Sequence, residues 1–577
     1  MRSQQEEKPP QVEVRDEAHI ADVVEALGSE AYGLSARLEP AATAFPVTLM
    51  HIDPGRRTMA LSLLDAQSLG EAELAGSAML LRAESESEAL HFDELAMQAI
   101  KRVGDHLEIQ CAFPRALYTT SKRRSVRITF TKGMQARTRT RVTVFPDHPP
   151  FKAHLRNLSS GGCLLEVPLS ESAFLRIDEK LPAVSFEFPN GETFAAPGLI
   201  RHVKPAGRSH FAAVGISFYD LTRDQKQRLI YFVNEAEREA AYRVGHDGRT
   251  ANASSLFSSE RPEAPHDKGR AQQRKAIASP MVNAIREIAR QLHIALLALQ
   301  NQRPLASEAL YACADTLLEK TKYQRADFLY ALSCLHQEPQ WIQHSINVAG
   351  KLGDLMLDEP EYAPRARAAV VAALLHDMGK AMLLSEELTT LEGELNVHQR
   401  MLLRGHVERL LEHLEPADWL DDGACHDIIV CINERLDGSG YPMGRRADEL
   451  SPLARMAAVI DVIDAMTRPR GDRVAETAIE AYRHLYNRPE RFDKWWVTRY
   501  IQRHGFYPIG SLVKFSHGYL AWVMELDDVG QPARVRVVRN VARCEFAIDY
   551  VLSRIDFGQL GKLECLVRPE DYQLLPF

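Results

Sequence analysis

The spacing of apolar residues changes along the chain and predicts a β-rich first half, a helical middle and a short β-rich end. Between Ala31 and Pro114 short apolar segments alternate with turn residues, as is typical of strands. From Met281 apolar residues recur with the helical period, and the pattern continues with interruptions to about residue 485. After His504 alternating apolar and polar residues return, which predicts a small β subdomain.

A stretch that is poor in large apolar residues separates the two halves. Between Arg243 and Lys275 the only ones are Val244, Leu256 and Phe257, so we expect a flexible linker there. The whole pattern predicts a multidomain α+β protein. The predicted divisions are a tail at 1–30, a β domain at 31–117, a second β domain at 118–242, the linker at 243–276, an all-α helical bundle at 277–504 and a β subdomain at 505–577.

Length and composition fit a multidomain globular protein. A chain of 577 residues is too long for one hydrophobic core, and its 45% hydrophobic and 26% charged residues are ordinary values. A net charge of −8 argues against binding to a nucleic acid polymer. The sequence has no apolar run of membrane-spanning length, no secretory signal at its start, and eight cysteines without a CxxC pair, so we expect a cytoplasmic protein.

Histidine and aspartate residues recur at regular intervals in the helical region. His344, His376 and His406 lie 32 and 30 residues apart, about the length of two helices and a turn, so like ends of alternate helices can meet in a core. Asp377 follows His376, and Asp461 stands in an apolar run where an unpaired carboxylate is costly. Converging imidazole and carboxylate groups are what a divalent transition metal requires.

A strong turn signal lies between His406 and Asp461. Two glycines permit positive φ and a proline restricts the backbone in the run Asp437, Gly438, Ser439, Gly440, Tyr441 and Pro442. Together with LLHDMGK at 374–380 and AVIDVIDAM at 458–466, this turn resembles the HD-GYP domain over roughly 277–577. The resemblance implies a helical, metal-dependent phosphodiesterase that opens cyclic di-GMP. It further implies metal ligands and reacting groups among His344, His376, Asp377, Lys380, His406 and Asp461.

The chain departs from the family pattern at the centre of the site. The family has His-His-Glu before the turn, whereas this chain has Ile432, Asn433 and Glu434. Gln340 stands where the family often has a glutamate, four residues before His344. Isoleucine cannot ligate a metal, and asparagine offers only a neutral amide oxygen. The resemblance therefore implies one divalent ion, iron or manganese, held firmly, and a second held weakly if at all.

A basic stretch precedes the second β domain's strands. Residues 115–146 hold nine cations and no acidic residue, which is typical of a solvated basic face. Three of these cations, however, stand where a loop enters a strand, and guanidinium groups suit bidentate phosphate contact and stacking on a base. They are Arg123, Arg124 and Arg127.

Thirty residues later Asn157, Ser159 and Gly162 form an Asn-x-Ser-x-x-Gly pattern. With the Arg-x-x-x-Arg spacing of Arg123 and Arg127, this pattern resembles the PilZ domain, a six-stranded barrel that binds cyclic di-GMP. The resemblance runs from about 118 to 240. It implies that the arginines hold phosphate and guanine and that the later residues face the ligand from the sheet. The β domain at 31–117 is similar to the N-terminal domain of flagellar-brake-type PilZ proteins.

Three functions remain open at the level of sequence. The first is a cyclic di-GMP receptor whose HD-GYP domain hydrolyses little or nothing and contacts protein partners, with oligomers possible. The second is an active metal-dependent phosphodiesterase regulated by its PilZ domain. The third is an HD-type phosphohydrolase acting on another nucleotide. A second His-Asp pair, His426-Asp427, competes for the site, but His426 lies seven residues, about 10.5 Å along a helix, before Asn433, which is too far for both to coordinate one ion. His398 and His413 flank His406, and the family pattern favours His406.

Overall fold

The structure is a computed structural model of the chain. It describes residues 11–14, 20, 24, 33–38, 44–53, 57–63, 79–84, 88–103, 106–114, 116–121, 127–146, 149–206, 210–244, 254–257, 279–385, 388, 391, 395–414, 419–469, 474–541 and 548–577. None of the helices in these ranges combines the length and the apolar character of a transmembrane span.

The N-terminal domain is an antiparallel sheet in the order β1-β9-β6-β5-β2-β3-β4-β8-β7. Its strands are β1 (Gln11–Val14), β2 (Gly33–Leu38), β3 (Ala44–Asp53), β4 (Thr58–Leu63), β5 (Met79–Glu84), β6 (Glu88–Leu95), β7 (Met97–Val103), β8 (His106–Ala112) and β9 (Leu117–Ser121). The prediction of a tail at 1–30 is wrong for β1, because Val12 and Val14 pair with Thr119 and Leu117. The sheet also extends past the predicted boundary at 117, since β9 ends at Ser121.

The second domain is a closed β-barrel. Its strands are β10 (Ile128–Thr129), β11 (Arg139–Thr143), β12 (Phe151–Ser159), β13 (Gly162–Pro168), β14 (Lys180–Glu187), β15 (Thr193–Pro205) and β16 (Phe211–Phe218). Six strands, β11 to β16, run in the order β12-β11-β14-β15-β16-β13, and pairing of β12 with β13 closes the ring. The short strand β10 adds to β12. Helix α1 (Lys132–Arg137) follows β10, and helix α2 (Arg223–Val244) follows the last strand.

Part of the predicted flexible linker packs against the barrel. Ser255–Phe257 forms a 3-10 turn that Ser254 precedes, and Leu256 and Phe257 are buried in the barrel core. Two buried carboxylates of α2 hold this turn, because Glu235 accepts hydrogen bonds from Ser254 Oγ (2.8 Å) and Ser255 N (3.2 Å) and Glu239 accepts one from Ser254 N (3.2 Å). The rest of the predicted linker, from 245 to 253 and from 258 to 276, lies outside the described residues.

The helical body follows from Pro280. Its helices are α3 (Pro280–Gln300), α4 (Ser307–Tyr323), α5 (Arg325–Ser333), α6 (Gln340–Asp358), α7 (Ala366–Leu375), α8 (Met378–Met382), α9 (Val397–Arg404), α10 (His406–Leu414), α11 (Asp422–Ala424), α12 (Pro452–Met466), α13 (Ala478–Tyr486) and α14 (Lys494–His504). A π-helical turn, Cys425–Val430, continues α11. Helices α6, α7 and α12 carry mostly buried residues and form the centre of the bundle.

A small antiparallel sheet completes the chain, as the alternating pattern after His504 predicts. Its strands are β17 (Leu512–Phe515), β18 (Tyr519–Leu526), β19 (Pro532–Asn540), β20 (Tyr550–Ser553) and β21 (Leu563–Val567). They lie in the order β20-β19-β18-β17-β21. Trp522 and Leu520 of β18 join the core of the helical body, so this sheet packs on the bundle and is continuous with it.

We predict that the turn Ser255–Phe257 stabilises the barrel. The Phe257 ring is 3% exposed and packs edge-on against Phe130 and Phe188. Phe257→Ala should lower the free energy of unfolding of the barrel by about 3–5 kcal/mol, because it removes a buried ring and leaves a cavity. Calorimetric unfolding of the full chain measures this. Tyr242→Ala, at a side chain that is 53% exposed, is the control, and equal stability of both variants would contradict the prediction.

Candidate functional site

His344, His376 and Asp461 bring metal-ligating atoms together inside the bundle. The three side chains are buried, and one ligand atom of each lies within 4.8 Å of the others. His344 Nε2 is 2.9 Å and His376 Nε2 is 3.6 Å from the same oxygen, Asp461 Oδ1. Ligand atoms around one ion bound at about 2.1 Å stand roughly 3.0–3.4 Å apart, so these separations suit a single transition metal.

Asp377 lies between this group and His406. Its Oδ2 is 3.6 Å from His344 Nε2 and accepts a 2.6 Å hydrogen bond from Lys380 Nζ. Its Oδ1 is 3.4 Å from His376 Nε2 and 3.6 Å from His406 Nε2. One carboxylate therefore reaches both the first group of ligands and the next imidazole, which is the placement of a bridging ligand.

Two imidazoles are oriented by the backbone of their own helices. His376 Nδ1 donates to Ala373 O and His406 Nδ1 donates to Leu403 O, both at 2.7 Å. In the neutral tautomer that these bonds favour, each Nε2 is an acceptor that faces the cluster. His376 Nε2, His406 Nε2 and Asp377 Oδ1 are buried without a hydrogen-bond partner among the described residues. Buried acceptor atoms normally have a hydrogen-bond partner, so three converging acceptors without one fit a bound cation.

His344 is held from both sides by carboxylates. Its Nδ1 bonds to Asp464 Oδ2 at 2.9 Å, opposite the bond from Nε2 to Asp461. Burial alone lowers its pKa, yet the hydrogen bonds to Asp461 and Asp464 raise that pKa to about 9. A metal ion competes with this proton for the Nε2 lone pair, so metal binding at His344 would release a proton.

Asp464 supports the site from behind. It is 1% exposed, and besides His344 it accepts hydrogen bonds from Lys351 Nζ (2.7 Å) and Arg468 Nε (2.6 Å). Although burial opposes ionisation, Arg468 and Lys351 hold the pKa of Asp464 well below its usual range. Asp464 did not emerge as a candidate from the sequence. It lies three residues after Asp461 on α12, so the helical period could have identified it as sharing that face.

The helix is interrupted at His376 and Asp377. Helix α7 ends at Leu375 and α8 begins at Met378, so the two side chains do not follow one helix. Close packing then brings α8 onto α10. A Cβ at Gly379 would lie 2.0 Å from His406 O, so only glycine permits this approach. The approach places His406 beside Asp377.

In the part of the site beyond His406, few side chains can ligate a metal. Ile432 is fully buried in the apolar core of the bundle. Asn433 is linked to the site through Tyr441, whose N–H donates to Asn433 O (3.3 Å) and whose ring packs edge-on to His406. The side-chain nitrogen of Asn433 has no partner within the ranges that the structure describes. The Gln340 side chain donates to Pro469 O at 3.1 Å.

Glu434 organises the glycine-rich turn, a role that sequence reasoning missed. The carboxylate is 1% exposed and accepts hydrogen bonds from the backbone N–H groups of Met443 (2.7 Å), Gly444 (3.0 Å) and Arg445 (3.1 Å). A Cβ at Gly440 would lie 2.4 Å from Glu434 Cα, so the turn folds directly onto this residue. The turn at 437–442 is thereby held close to His406 through the Tyr441 ring.

The alternative histidines lie elsewhere. His398 is exposed, and His413 donates from Nδ1 to Arg409 O at 3.0 Å. His426 contacts Arg445 at 2.6 Å, and Asp427 faces Arg365 at 3.4 Å. The structure thus places His406 at the cluster and gives the His426-Asp427 pair other partners, in line with the sequence-based preference.

The barrel brings the candidate ligand-binding residues to one end of a hairpin. Thr129 pairs with Asn157, and this antiparallel register brings the exposed Arg127 to the level of Ser159. Ser159 donates from Oγ to Gly162 O at 3.0 Å, which tightens the turn between β12 and β13. Asn157 Oδ1 is buried and has no hydrogen-bond partner among the described residues. Arg123 and Arg124 lie outside those residues.

We predict that Asp464 contributes strongly to metal affinity although it touches no ion. Asp464→Asn should lower the affinity for Mn²⁺ about 10–100-fold, because the partner that orients and polarises His344 is weakened. Chelator competition measures the affinity. Asp315→Asn is the control, since the Asp315 carboxylate is exposed on α4 and pairs with Arg367 at 2.6 Å. Equal affinities for wild type and Asp464→Asn would contradict the prediction.

Two relatives with known activity are similar to parts of the chain. It is 34% identical over 230 residues to the cyclic di-GMP phosphodiesterase PA4108 of Pseudomonas aeruginosa, a match that covers 39% of this chain and 53% of that protein. It is 32% identical over 157 residues to the cyclic di-GMP phosphodiesterase response regulator RpfG of Xanthomonas campestris pv. campestris, covering 26% of this chain and 40% of that protein. The chain thus spans about half or less of the length of these relatives.

Two solved structures are also similar. Bd1817, an HDG"Y"P protein from Bdellovibrio bacteriovorus, shares 15% identity at a TM-score of 0.33, covering 58% of this chain and 98% of its own. YcgR from Escherichia coli in complex with c-di-GMP shares 16% identity at a TM-score of 0.22, covering 40% of this chain and 95% of its own.

Family models match two separate regions, the PilZ domain at 121–235 and the HD domain at 333–494. The chain therefore combines a PilZ domain with an HD domain that is similar to those of cyclic di-GMP phosphodiesterases.

Proposed function

We propose that the chain is a cyclic di-GMP signalling protein, in which the PilZ domain binds the nucleotide and the HD domain holds a divalent metal but hydrolyses cyclic di-GMP weakly or not at all. The observation that carries this proposal is the convergence of four ligands, His344, His376, Asp377 and Asp461, in one buried cluster. By the family resemblance two histidines would complete the cluster beside His406, and this chain has Ile432 and Asn433 at those positions.

The first metal position would be formed by His344, His376, Asp377 and Asp461. The fit is supported by the separations of their ligand atoms and by the orphaned Nε2 of His376 and Oδ1 of Asp377. Asp464 orients one imidazole and the Ala373 carbonyl orients the other. Imidazole and carboxylate ligands suit iron, manganese and zinc alike, and the family resemblance favours iron or manganese.

A bound divalent ion would polarise a phosphoryl oxygen and lower the pKa of a water molecule. The chain's own residues prepare the site for a phosphodiester. Lys380 places an ammonium 2.6 Å from Asp377, where it can meet a phosphate oxygen at the edge of the cluster. Asp377 keeps the pKa of Lys380 above its usual range despite burial, so the ammonium stays charged. Tyr441, with its ring against His406, closes one side of the site.

Two candidate ligands are present at the second metal position. Asp377 Oδ1 and His406 Nε2 stand 3.6 Å apart, and both lack a hydrogen-bond partner among the described residues. Two ligands hold an ion weakly, and without a second ion there is little to stabilise the leaving oxygen. The same two orphans are what favours the alternative of an active phosphodiesterase, since a substrate oxygen or the Asn433 amide could complete the shell.

We predict that the chain binds one Mn²⁺ tightly and that Asn433→His introduces a second site. The stoichiometry should rise from about one to about two ions per chain, and cyclic di-GMP hydrolysis should rise with it, because the imidazole supplies a third ligand beside Asp377 and His406. Adding Ile432→His tests the remaining family ligand, although this places a polar ring where an apolar side chain is fully buried. Metal analysis and nucleotide chromatography give the two readouts.

Asn487→His, at an exposed residue that ends α13, is the matched control for the added imidazole. Two tightly bound ions and rapid hydrolysis in the unmodified chain would overturn the proposal in favour of an active enzyme. Hydrolysis of a different nucleotide, with none of cyclic di-GMP, would favour an HD-type phosphohydrolase of another class.

We also predict that cyclic di-GMP binds the PilZ domain through Arg127. Arg127→Ala should weaken binding at least about tenfold, because a charge-assisted hydrogen bond to phosphate contributes about 1.5–3 kcal/mol. Calorimetric titration of the full chain measures the affinity. Arg139→Ala is the control, because this exposed barrel arginine pairs with Glu187 at 2.8 Å. Unchanged affinity in Arg127→Ala would exclude this binding site.

A further inference from the structure

A short loop of the barrel reaches into the helical body. This contact loop, Ala173–Ile177, begins in the last two residues of the 3-10 turn Leu169–Phe174 and precedes β14. Ala173 belongs to the apolar core of the bundle, and Phe174 packs against that core and the barrel core alike. In return Leu297 of α3 belongs to the barrel core. The two domains are therefore joined by shared apolar packing as well as by the chain between them.

Polar contacts surround this apolar junction. Gln300 Nε2 donates to Ala173 O at 2.8 Å, and Ile177 N donates to Asn301 Oδ1 at 3.3 Å. Arg176 of the contact loop also bonds to the helical body, because its Nη2 donates to Met382 O at 2.8 Å and to Leu384 O at 2.7 Å. Arg176 is thus a barrel residue that holds two backbone carbonyls at the end of α8.

The end of α8 needs such a partner. The carbonyl oxygens in the last turn of a helix receive no hydrogen bond from within the helix. Met382 and Leu384 are 4% and 3% exposed, so water has little access to their carbonyl groups. A cation beside a helix C-terminus is also electrostatically favourable. Arg176 supplies both the donors and the charge, and it comes from another domain.

Helix α8 directly adjoins the candidate metal cluster. Asp377 immediately precedes α8, and Lys380 lies on it. Five residues of helix span only about 7.5 Å, so the guanidinium holds the far end of the segment whose near end carries Asp377. The contact of Gly379 with the His406 carbonyl leaves no free space between α8 and α10. A displacement of α8 would therefore move Asp377, Lys380 and His406 relative to the other ligands.

We propose that Arg176 is a positioning residue of the HD site, through which the PilZ barrel fixes α8 and with it Asp377. The proposal rests on the proposed function to the extent that the cluster binds a metal. It also gives the two domains a physical connection. Strand β13 begins at Gly162, in the candidate nucleotide site, and its other end leads into the turn that carries the contact loop.

The test compares Mn²⁺ affinity in the full chain for wild type, Arg176→Ala, Arg176→Lys and Arg139→Ala. Arg176→Ala should bind Mn²⁺ about tenfold more weakly, the lower end of the effect of lost ligand support. Arg176→Lys should recover most of the affinity, because an ammonium can still donate to a carbonyl. Arg139→Ala should match wild type, since Arg139 pairs within the barrel.

Hydrogen exchange of the backbone at 378–385 gives a second readout that needs no metal. The amides of this segment should exchange faster in Arg176→Ala than in wild type and Arg139→Ala, because the end of α8 frays without its donors. If Arg176→Ala does not fold, Arg176→Gln replaces it, since one amide group can satisfy only part of the pair of carbonyls. Wild-type affinity and wild-type exchange in the Arg176 variants would overturn the proposal.

The two proposals fail in different ways. Absence of Mn²⁺ binding in the wild-type chain would contradict the proposed function, and the exchange comparison would still decide the role of Arg176. Tight Mn²⁺ binding by both wild type and Arg176→Ala, with equal exchange at 378–385, would leave the metal site intact and remove Arg176 from it.

Discussion

The burial of three carboxylates among imidazoles is the constraint on which the helical body depends. Asp377, Asp461 and Asp464 are all buried and lie within one cluster. Buried charge of one sign is tolerated only when cations and hydrogen bonds offset the loss of water. Asp464 is offset by Lys351 and Arg468, and Asp377 by Lys380. Beyond these, the remaining acceptors of Asp377, His376 and His406 point at one another, an arrangement that a bound cation would satisfy.

The architecture around the cluster follows from bringing these groups together. They come from α6, α7, α8, α10 and α12, so the helices must approach closely at one level of the bundle. Gly379 permits the closest of these approaches, between α8 and α10. The turn at 437–442 then covers the cluster, and its shape depends on Glu434 accepting three backbone N–H groups. Glu434 therefore shapes the loop through hydrogen bonds to the backbone.

The sequence was sufficient for residues whose spacing follows a helical repeat. His344, His376 and His406 could be expected to converge because equal intervals bring like ends of helices together. The spacing of Asp464 from Asp461 identifies a shared helix face but not its partner, and the partners of Glu434 and Arg176 follow no repeat. Asp464 meets His344 across 120 residues, and Arg176 meets Met382 across 206. Such supporting contacts depend on packing and leave no periodic signal.

The alternating and sparse apolar patterns were informative about fold class but less so about boundaries. The closed barrel, the bundle and the terminal sheet each match a change in periodicity. The first strand was missed because four residues between charged segments carry too little pattern, and its pairing with β9 depends on the whole sheet. The turn at Ser255–Phe257 was missed because two apolar residues in a polar stretch indicate a linker unless the buried Glu235 and Glu239 that hold them are known.

The asymmetry of the cluster links stability to signalling. On the proposed function, a first ion at His344, His376, Asp377 and Asp461 would satisfy buried ligand atoms that otherwise lack a hydrogen-bond partner among the described residues, so it would stabilise the native state whether or not substrate is turned over. The same proposal assigns Ile432 and Asn433 to the second position only, so the first ion would not depend on them. Arg176 of the PilZ barrel holds the end of α8 in either case.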